Sequence, residues 1–162
     1  MGKHALLSAS ASHKWLHCPP SARLEENEEN TSSVFAAEGT AAHELSEYKL
    51  RDYIGIKTER PVSEFDSEEL EQYTDVYVNF ATELIDEVKT SCKDPVILIE
   101  QKLDFSCYVP AGFGTGDLLI VADENLDIVD LKYGRGVAVS AVDNPQMKLY
   151  AIGALNLFDS LY

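Results

Sequence analysis

The change of hydrophobic period after Asp94-Pro95 limits the fold more than any other feature of the chain. Upstream, apolar residues recur every three or four positions; downstream, they fall into short runs rich in β-branched side chains. VILIEQKL (96–103), GDLLIVAD (116–123) and LDIVDLKYG (126–134) each read as a strand, and Asp123-Glu124-Asn125 reads as the hairpin turn between the last two. GVAVSAV (136–142) reads as a short fourth strand. Strands this apolar need cover, and the flanking segments supply it. Residues 8–17 read as a short helix or turn ending at Cys18-Pro19-Pro20, and LEENEENTSS as a polar, mobile loop. A helix is predicted from about Gly39-Thr40, with Thr40 as its N-cap, to about Asp52. A second is predicted from about Ser63, with Leu70, Tyr73, Tyr77, Phe80, Leu84 and Val88 as its apolar stripe. Pro145 opens a third over 145–159, apolar on most sides and expected to be well buried. The order implies an α/β or α+β fold, with one sheet flanked by helices.

A chain of 162 residues suits one domain with a real core. Hydrophobic residues make up 45% and charged residues 25%, which excludes a disordered, collagen-like or disulfide-stapled chain. No apolar run reaches the roughly 20 residues that cross a bilayer, so no membrane partner is expected. The N-terminus lacks the basic-then-apolar pattern of a secretory signal. Three cysteines, Cys18, Cys92 and Cys107, fit a reducing compartment, so a cytoplasmic location is expected. The formal net charge is −15, and an acidic surface repels nucleic acid. More than half of that deficit sits in residues 61–95, where the solvated face of the second helix accounts for it, whereas residues 1–23 carry Lys3, Lys14 and Arg23 and no acid.

Four polar elements stand out against this background. In EGTAAHELSE (38–47), His43 and Glu47 lie one helical turn apart on a shared face. An ordinary surface helix explains that pair. A degenerate zinc peptidase is another reading, because His43-Glu44-x-x-Glu47 approximates HExxH with glutamate in place of the second histidine; the other histidines, His4, His13 and His17, all lie upstream. Gly114-Thr115-Gly116-Asp117 places Asp117 at the mouth of a strand. In Asp130-Leu131-Lys132, strand alternation puts the two charged residues on one face. Charges in so apolar a strand are costly unless paired or metal-bound. Asp117 and Asp130 fall on neighbouring predicted strands, and a divalent cation relieves the repulsion of two carboxylates held close. Finally, Gln146 and Tyr150 lie one turn apart on the last helix, where a capping glutamine and a core tyrosine are the plain reading.

In this order the four elements resemble the RecB-like branch of the PD-(D/E)XK nuclease superfamily. Its pattern of GTxxHxxxE, GxxD, DxK and QxxxY is matched by Gly39-Thr40-x-x-His43-x-x-x-Glu47, Gly114-x-x-Asp117, Asp130-x-Lys132 and Gln146-x-x-x-Tyr150. The resemblance covers about residues 36–160 and is closest to phage and prophage nucleases related to the CRISPR-associated RecB-like exonucleases. Trp15-x-x-Cys18-Pro19-x-Ser21 is similar to the start of that phage family. The resemblance implies a restriction-endonuclease-like core with a central mixed sheet. It implies a catalytic set of Asp117, Asp130 and Lys132. Asp117, Asp130 and the backbone carbonyl of Leu131 would ligate Mg²⁺ or Mn²⁺. His43 would be a further ligand, and its imidazole would shift preference toward Mn²⁺. Lys132 would orient the attacking water and counter charge on the phosphate. Glu47 would serve a second ion or orient a ligand, and Glu100 on the preceding strand is a weaker candidate ligand. Gln146 and Tyr150 would contact DNA or brace the site, and Arg135 and Lys148 would join Lys132 around the substrate. The CRISPR-associated relatives carry an iron–sulfur cluster on one upstream and three downstream cysteines; Cys92 and Cys107 lack that spacing, so no cluster is expected. The family core adds a strand after the QxxxY helix, so this core is expected to lack its last strand, as a fragment, a minimal form, or one completed by a protein partner or by self-association.

The expected organisation is an N-terminal arm and polar loop over 1–35 and a nuclease-like domain over 36–162. The expected function is a metal-dependent deoxyribonuclease, a phage or prophage exonuclease hydrolysing phosphodiester bonds of linear or single-stranded DNA during recombination or repair, in the cytoplasm of a bacterium or phage-infected host. The alternative is a non-catalytic protein of the same fold that binds a protein or nucleic-acid-processing partner. The degenerate zinc peptidase is third.

Overall fold

Ser33 sets the start of the first long helix. Its hydroxyl accepts the Ala36 N–H at 3.2 Å, and α3 (Val34–Tyr53) runs from there, following two short helices, α1 (Ser12–His17) and α2 (Ser21–Glu25). The structure is a computed structural model and describes residues 5–26, 33–123, 125–134 and 138–158. Thr40, expected as the N-cap, lies inside α3 and donates to the Ala36 carbonyl at 3.0 Å. The single Gly39 stands in open space, and its cost of about 1 kcal/mol does not end a helix capped six residues earlier. The polar loop expected over 24–33 loses its first residues to α2, and residues 27–32 lie outside the described residues.

The next helix, α4 (Glu68–Ser91), begins five residues after Ser63 because Ser67 is its cap, accepting the Leu70 N–H at 3.1 Å. Glu68, Glu69 and Glu71 fill its first turn, where the helix dipole favours acids. Its buried face is Leu70, Thr74, Tyr77, Ala81 and Ile85, which corrects the expected stripe: Tyr73 and Phe80 face solvent, 57% and 53% exposed. Thr74 and Ala81 take their places because small side chains let α3 approach closely. Lys49 of α3 fastens the pair, its ammonium 2.6 Å from Glu71 and from Asp75 and 2.9 Å from the Thr74 hydroxyl.

Three strands follow: β1 (Val96–Asp104) and β2 (Phe113–Ala122), close to the expected bounds, and β3 (Asn125–Val129), which stops five residues short of the expected end at 134. They form an antiparallel sheet in the order β1-β2-β3, with the register Leu118↔Val129 to Ala122↔Asn125 between the last two. Asp123 turns that hairpin at φ +48°; Glu124 lies outside the described residues. The class is therefore α+β, an antiparallel sheet flanked by helices. The fourth strand expected over 136–142 does not form across residues 138–142, where Val139 and Val142 are exposed with no cover for an apolar face; residues 136–137 lie outside the described residues.

The chain divides into two compact units. One contains the described part of residues 31–100 and 117–138, with α3, α4 and the facing ends of the strands. Its core joins Ala41, Ala42, Leu45 and Leu50 to Leu70, Tyr77, Ala81 and Ile85, and both to Ile99, Leu118, Ile120 and Leu131. The other contains the described part of residues 1–30, 101–116 and 139–162. There α1 packs against α2 and against α5 (Pro145–Phe158). Asn144 caps α5, its side-chain oxygen accepting the Gln146 N–H at 2.9 Å, and Pro145 takes the first helical position. This helix buries the face made of Gln146, Leu149, Tyr150, Gly153 and Ala154; Leu155 and Leu157, among the apolar residues expected to be well buried, are exposed. Among the described residues no helix is long and apolar enough to cross a membrane.

Candidate metal centre

The β2–β3 ladder ends at Leu118↔Val129, and one step beyond it stand Asp117 and Asp130. The strands separate there in a specific way. The Asp117 carboxylate, almost fully buried, accepts the Leu131 N–H on Oδ2 at 2.5 Å. Its other oxygen lies 3.2 Å from His43 Nδ1 on α3. Asp130 turns instead to Lys132, with 2.5 Å between Oδ2 and Nζ. The same-face Asp/Lys pair anticipated from alternation therefore forms, just past the end of β3 rather than within it.

Three ligand-type groups converge: His43, Glu100 and Asp117 each place one candidate donor atom within 4.8 Å of the others. This reverses the expected weighting, since Glu100 was the weaker candidate and Asp130 a primary one. Glu100 reaches the cluster from β1 through a backbone kink, with φ at +53° in a strand that otherwise runs extended. A non-glycine residue in that region costs about 1–3 kcal/mol and persists only where its surroundings hold it. Asp130 stands beside the three, near enough for its charge to act on His43. Glu47 lines the same crevice but its carboxylate is held by Arg51, one turn along α3, at 2.7 Å. The Leu131 backbone meets the cluster through its N–H.

Electrostatics show what such a cluster lacks. Burial, and then the charges of Asp117 and Glu47, hold the Glu100 carboxyl at a pKa of about 7, well above an ordinary glutamate. Burial likewise raises the pKa of Asp130, with Asp117 adding to the effect and Lys132 opposing it. Burial lowers the pKa of His43, but its hydrogen bond to Asp117 and the charges of Asp117, Glu100 and Asp130 outweigh that, and the imidazole titrates above its usual range. Two carboxyls that resist ionising, Glu100 and Asp130, crowded beside Asp117 and an imidazole, make a donor set suited to a divalent cation. The crevice lined by His43, Ser46, Glu47, Leu50, Tyr77, Glu100, Asp117 and Leu131 has no room for a sphere of water size. A bare ion is smaller than that sphere. Two buried hydroxyls on the crevice wall, Ser46 Oγ and Tyr77 Oη, have no hydrogen-bond partner among the described residues. The residues therefore fit a small oxygen- and nitrogen-liganded ion.

A wider cleft of about 630 Å³ shares Tyr77 and Leu131 with this crevice and is otherwise lined by residues that include Phe35, Glu38, Tyr73, Lys132 and Tyr133. Tyr73 and Tyr133 meet edge-to-face at 6.2 Å in its wall.

The remaining sequence-derived candidates belong to the other unit or lie outside the described residues. Gln146 donates to the Tyr150 hydroxyl at 2.9 Å, so the pair forms internally and both side chains are buried. Lys148 is exposed and bonds Asp143 at 2.8 Å. Arg135 lies outside the described residues. The sequence reading passed over Arg51, Ser46 and Tyr77. Arg51 was detectable from its spacing to Glu47; Tyr77 read only as part of an apolar stripe. No solved structure matches the chain. A family model does, over residues 4–162, and the chain belongs to that family, described as a protein of unknown function, DUF2800.

Proposed function

We propose that the protein is a metal-dependent deoxyribonuclease that hydrolyses phosphodiester bonds, working in the cytoplasm of a bacterium or phage-infected host. The observation that carries this reading is the convergence of His43, Glu100 and Asp117 beside the Asp130–Lys132 pair, from four separate stretches of chain. His43, Glu100 and Asp117 would hold Mg²⁺ or Mn²⁺, with Asp130 adjacent. When bound, such an ion lowers the pKa of its water and stabilises charge developing on a phosphate. The protein's own groups do the rest. Asp117 is fixed from two sides, by the Leu131 N–H and by His43, so it presents a rigid oxygen. Asp130 pairs with the Lys132 ammonium on the lining of the wide cleft, where it would orient the nucleophile and offset phosphate charge. Local positive charge of this kind answers the −15 balance, because binding relies on the ion and on Lys132 rather than on a basic surface.

The test is cleavage of labelled linear, circular and single-stranded DNA with Mn²⁺ or Mg²⁺. Asp117→Ala, Asp130→Ala and Lys132→Ala should each abolish it, with chelation doing the same to the parent protein. Activity unchanged in all three would end the nuclease reading, and tight Zn²⁺ binding retained in Asp117→Ala would favour a peptidase.

A second reading, a non-catalytic protein of this fold that binds a partner, draws on the exposed apolar residues of α4: Phe80, and Tyr73 and Val76, which line the wide cleft. Metal binding without cleavage of any DNA form would favour it.

A further inference from the structure

Among the described residues, Tyr77 is the one hydroxyl that borders both hollows. It lies on α4, lines the crevice with His43, Glu100 and Asp117, and lines the wide cleft with Lys132, Tyr73 and Tyr133. Its residue is 8% exposed and its hydroxyl has no hydrogen-bond partner among the described residues, although three carboxylates lie near enough to act on it. A buried donor that leaves neighbouring acceptors unused is costly, and the cost is recovered when a ligand supplies the acceptor. Of the two hollows that Tyr77 lines, the wide cleft alone has room for a nucleotide, so an acceptor would arrive from there. A phosphate oxygen suits that role, because a cation among the carboxylates turns a repelling surface into an attracting one. The Tyr73–Tyr133 wall offers a surface on which a base can stack.

We infer that Tyr77 is a substrate-binding residue whose hydroxyl donates to a non-bridging oxygen of a phosphate group brought through the wide cleft, with the attached base resting on Tyr133. This inference rests on the nuclease reading and names what that site grips: the phosphate of an unpaired nucleotide.

The experiment is calorimetric titration of the full chain with inorganic phosphate, thymidine monophosphate and thymidine, in Ca²⁺ and in chelator, with cleavage by the Mn²⁺-loaded protein run in parallel. Parent protein should bind phosphate and thymidine monophosphate only with the ion present. Tyr77→Phe should weaken both by at least about tenfold, the loss of one hydrogen bond to a charged group, and leave Ca²⁺ affinity within about twofold. Tyr133→Ala should weaken thymidine monophosphate and spare phosphate. In chelator, Tyr77→Phe should melt at or above the parent, since the hydroxyl removed has no internal partner. Phosphate affinity unchanged in Tyr77→Phe, or a lower melting temperature for it in chelator, overturns the role of Tyr77 while leaving cleavage and the nuclease reading standing. A parent protein that binds neither Ca²⁺ nor Mn²⁺ and cleaves nothing overturns both.

Discussion

Replacing Glu100 by glutamine isolates the electrostatics of the centre. Its carboxyl titrates at about 7 in the folded protein, against 4.5 for an ordinary glutamate, because of burial and then Asp117 and Glu47. A folded-state pKa above the unfolded one means that the folded chain holds the proton more tightly. Ionising Glu100 therefore opposes folding: the penalty is absent below pH 4.5, grows as pH rises and is complete once pH passes about 7. The step from 4.5 to about 7 corresponds to about 3 kcal/mol. Glu100 is half-buried, and solvent screening reduces that to about 1–2 kcal/mol. Glutamine keeps the shape and cannot ionise. In chelator at pH 8, Glu100→Gln should melt about 3–6 °C above the parent, and at pH 5 the two should melt together. With saturating Mn²⁺ at pH 8 the order should reverse, because the parent gains a ligand that the variant lacks. Scanning calorimetry at the two pH values, with and without the ion, reads all four numbers. A variant that melts lower than the parent by the same margin at pH 5 and pH 8 would mean that Glu100 is held by a structural partner, and the account of a crowded, cation-seeking carboxylate would be wrong.

The remaining expectations are simpler to state. His43 titrates above its usual range, so its protonated form contributes stability that is full below about pH 6.5 and is lost as pH rises through the folded value; His43→Asn should flatten the pH dependence of melting in chelator and weaken Mn²⁺ binding by calorimetry. Lys49→Met should lower stability by about 1–3 kcal/mol in urea unfolding, since it leaves Glu71, Asp75 and Thr74 without the ammonium that ties α3 to α4. Gly153→Ala should cost about 1–3 kcal/mol in the same assay, because its Cβ would come within 2.9 Å of Leu103 Cβ and 3.2 Å of the Leu103 backbone.

How much of this could be read from the sequence depended on the range of the interaction. The strands were legible because β-branched runs such as VILIE and LLIVA satisfy a local rule, and β1 and β2 fall within about three residues of expectation. The starts of α3 and α4 were misplaced because several hydroxyl residues compete as caps, and the choice of Ser33 over Thr40 and Ser67 over Ser63 depends on which turn the tertiary packing extends. The stripe on α4 was misjudged for a related reason: close approach of α3 favours Thr74 and Ala81, so hydrophobicity alone selected Tyr73 and Phe80 wrongly. At the centre, side-chain type was legible and backbone was not. His43, Asp117, Asp130 and Lys132 were found by pattern, whereas Glu100 was underrated because a positive φ inside a strand leaves no mark on composition.

The end of the β2–β3 ladder explains why these particular groups can share one place. Had the pairing run one residue further, Asp117 and Asp130 would face each other across the strands, with side chains about 5 Å apart and both buried. Ending it at Leu118↔Val129 frees the Leu131 N–H for Asp117 and lets Asp130 reach Lys132. The two acids are thereby assigned different partners: Asp117 joins His43 and Glu100, and Asp130 shares its charge with a lysine. What is left is an excess of negative charge beside His43, which can be offset by protons below pH 7 or by a divalent ion above it. Competition between protons and ion for the same oxygens makes the metal affinity of this centre rise with pH, by up to about tenfold for each pH unit below 7, and that slope is a signature that a purely structural cluster of acids would not produce.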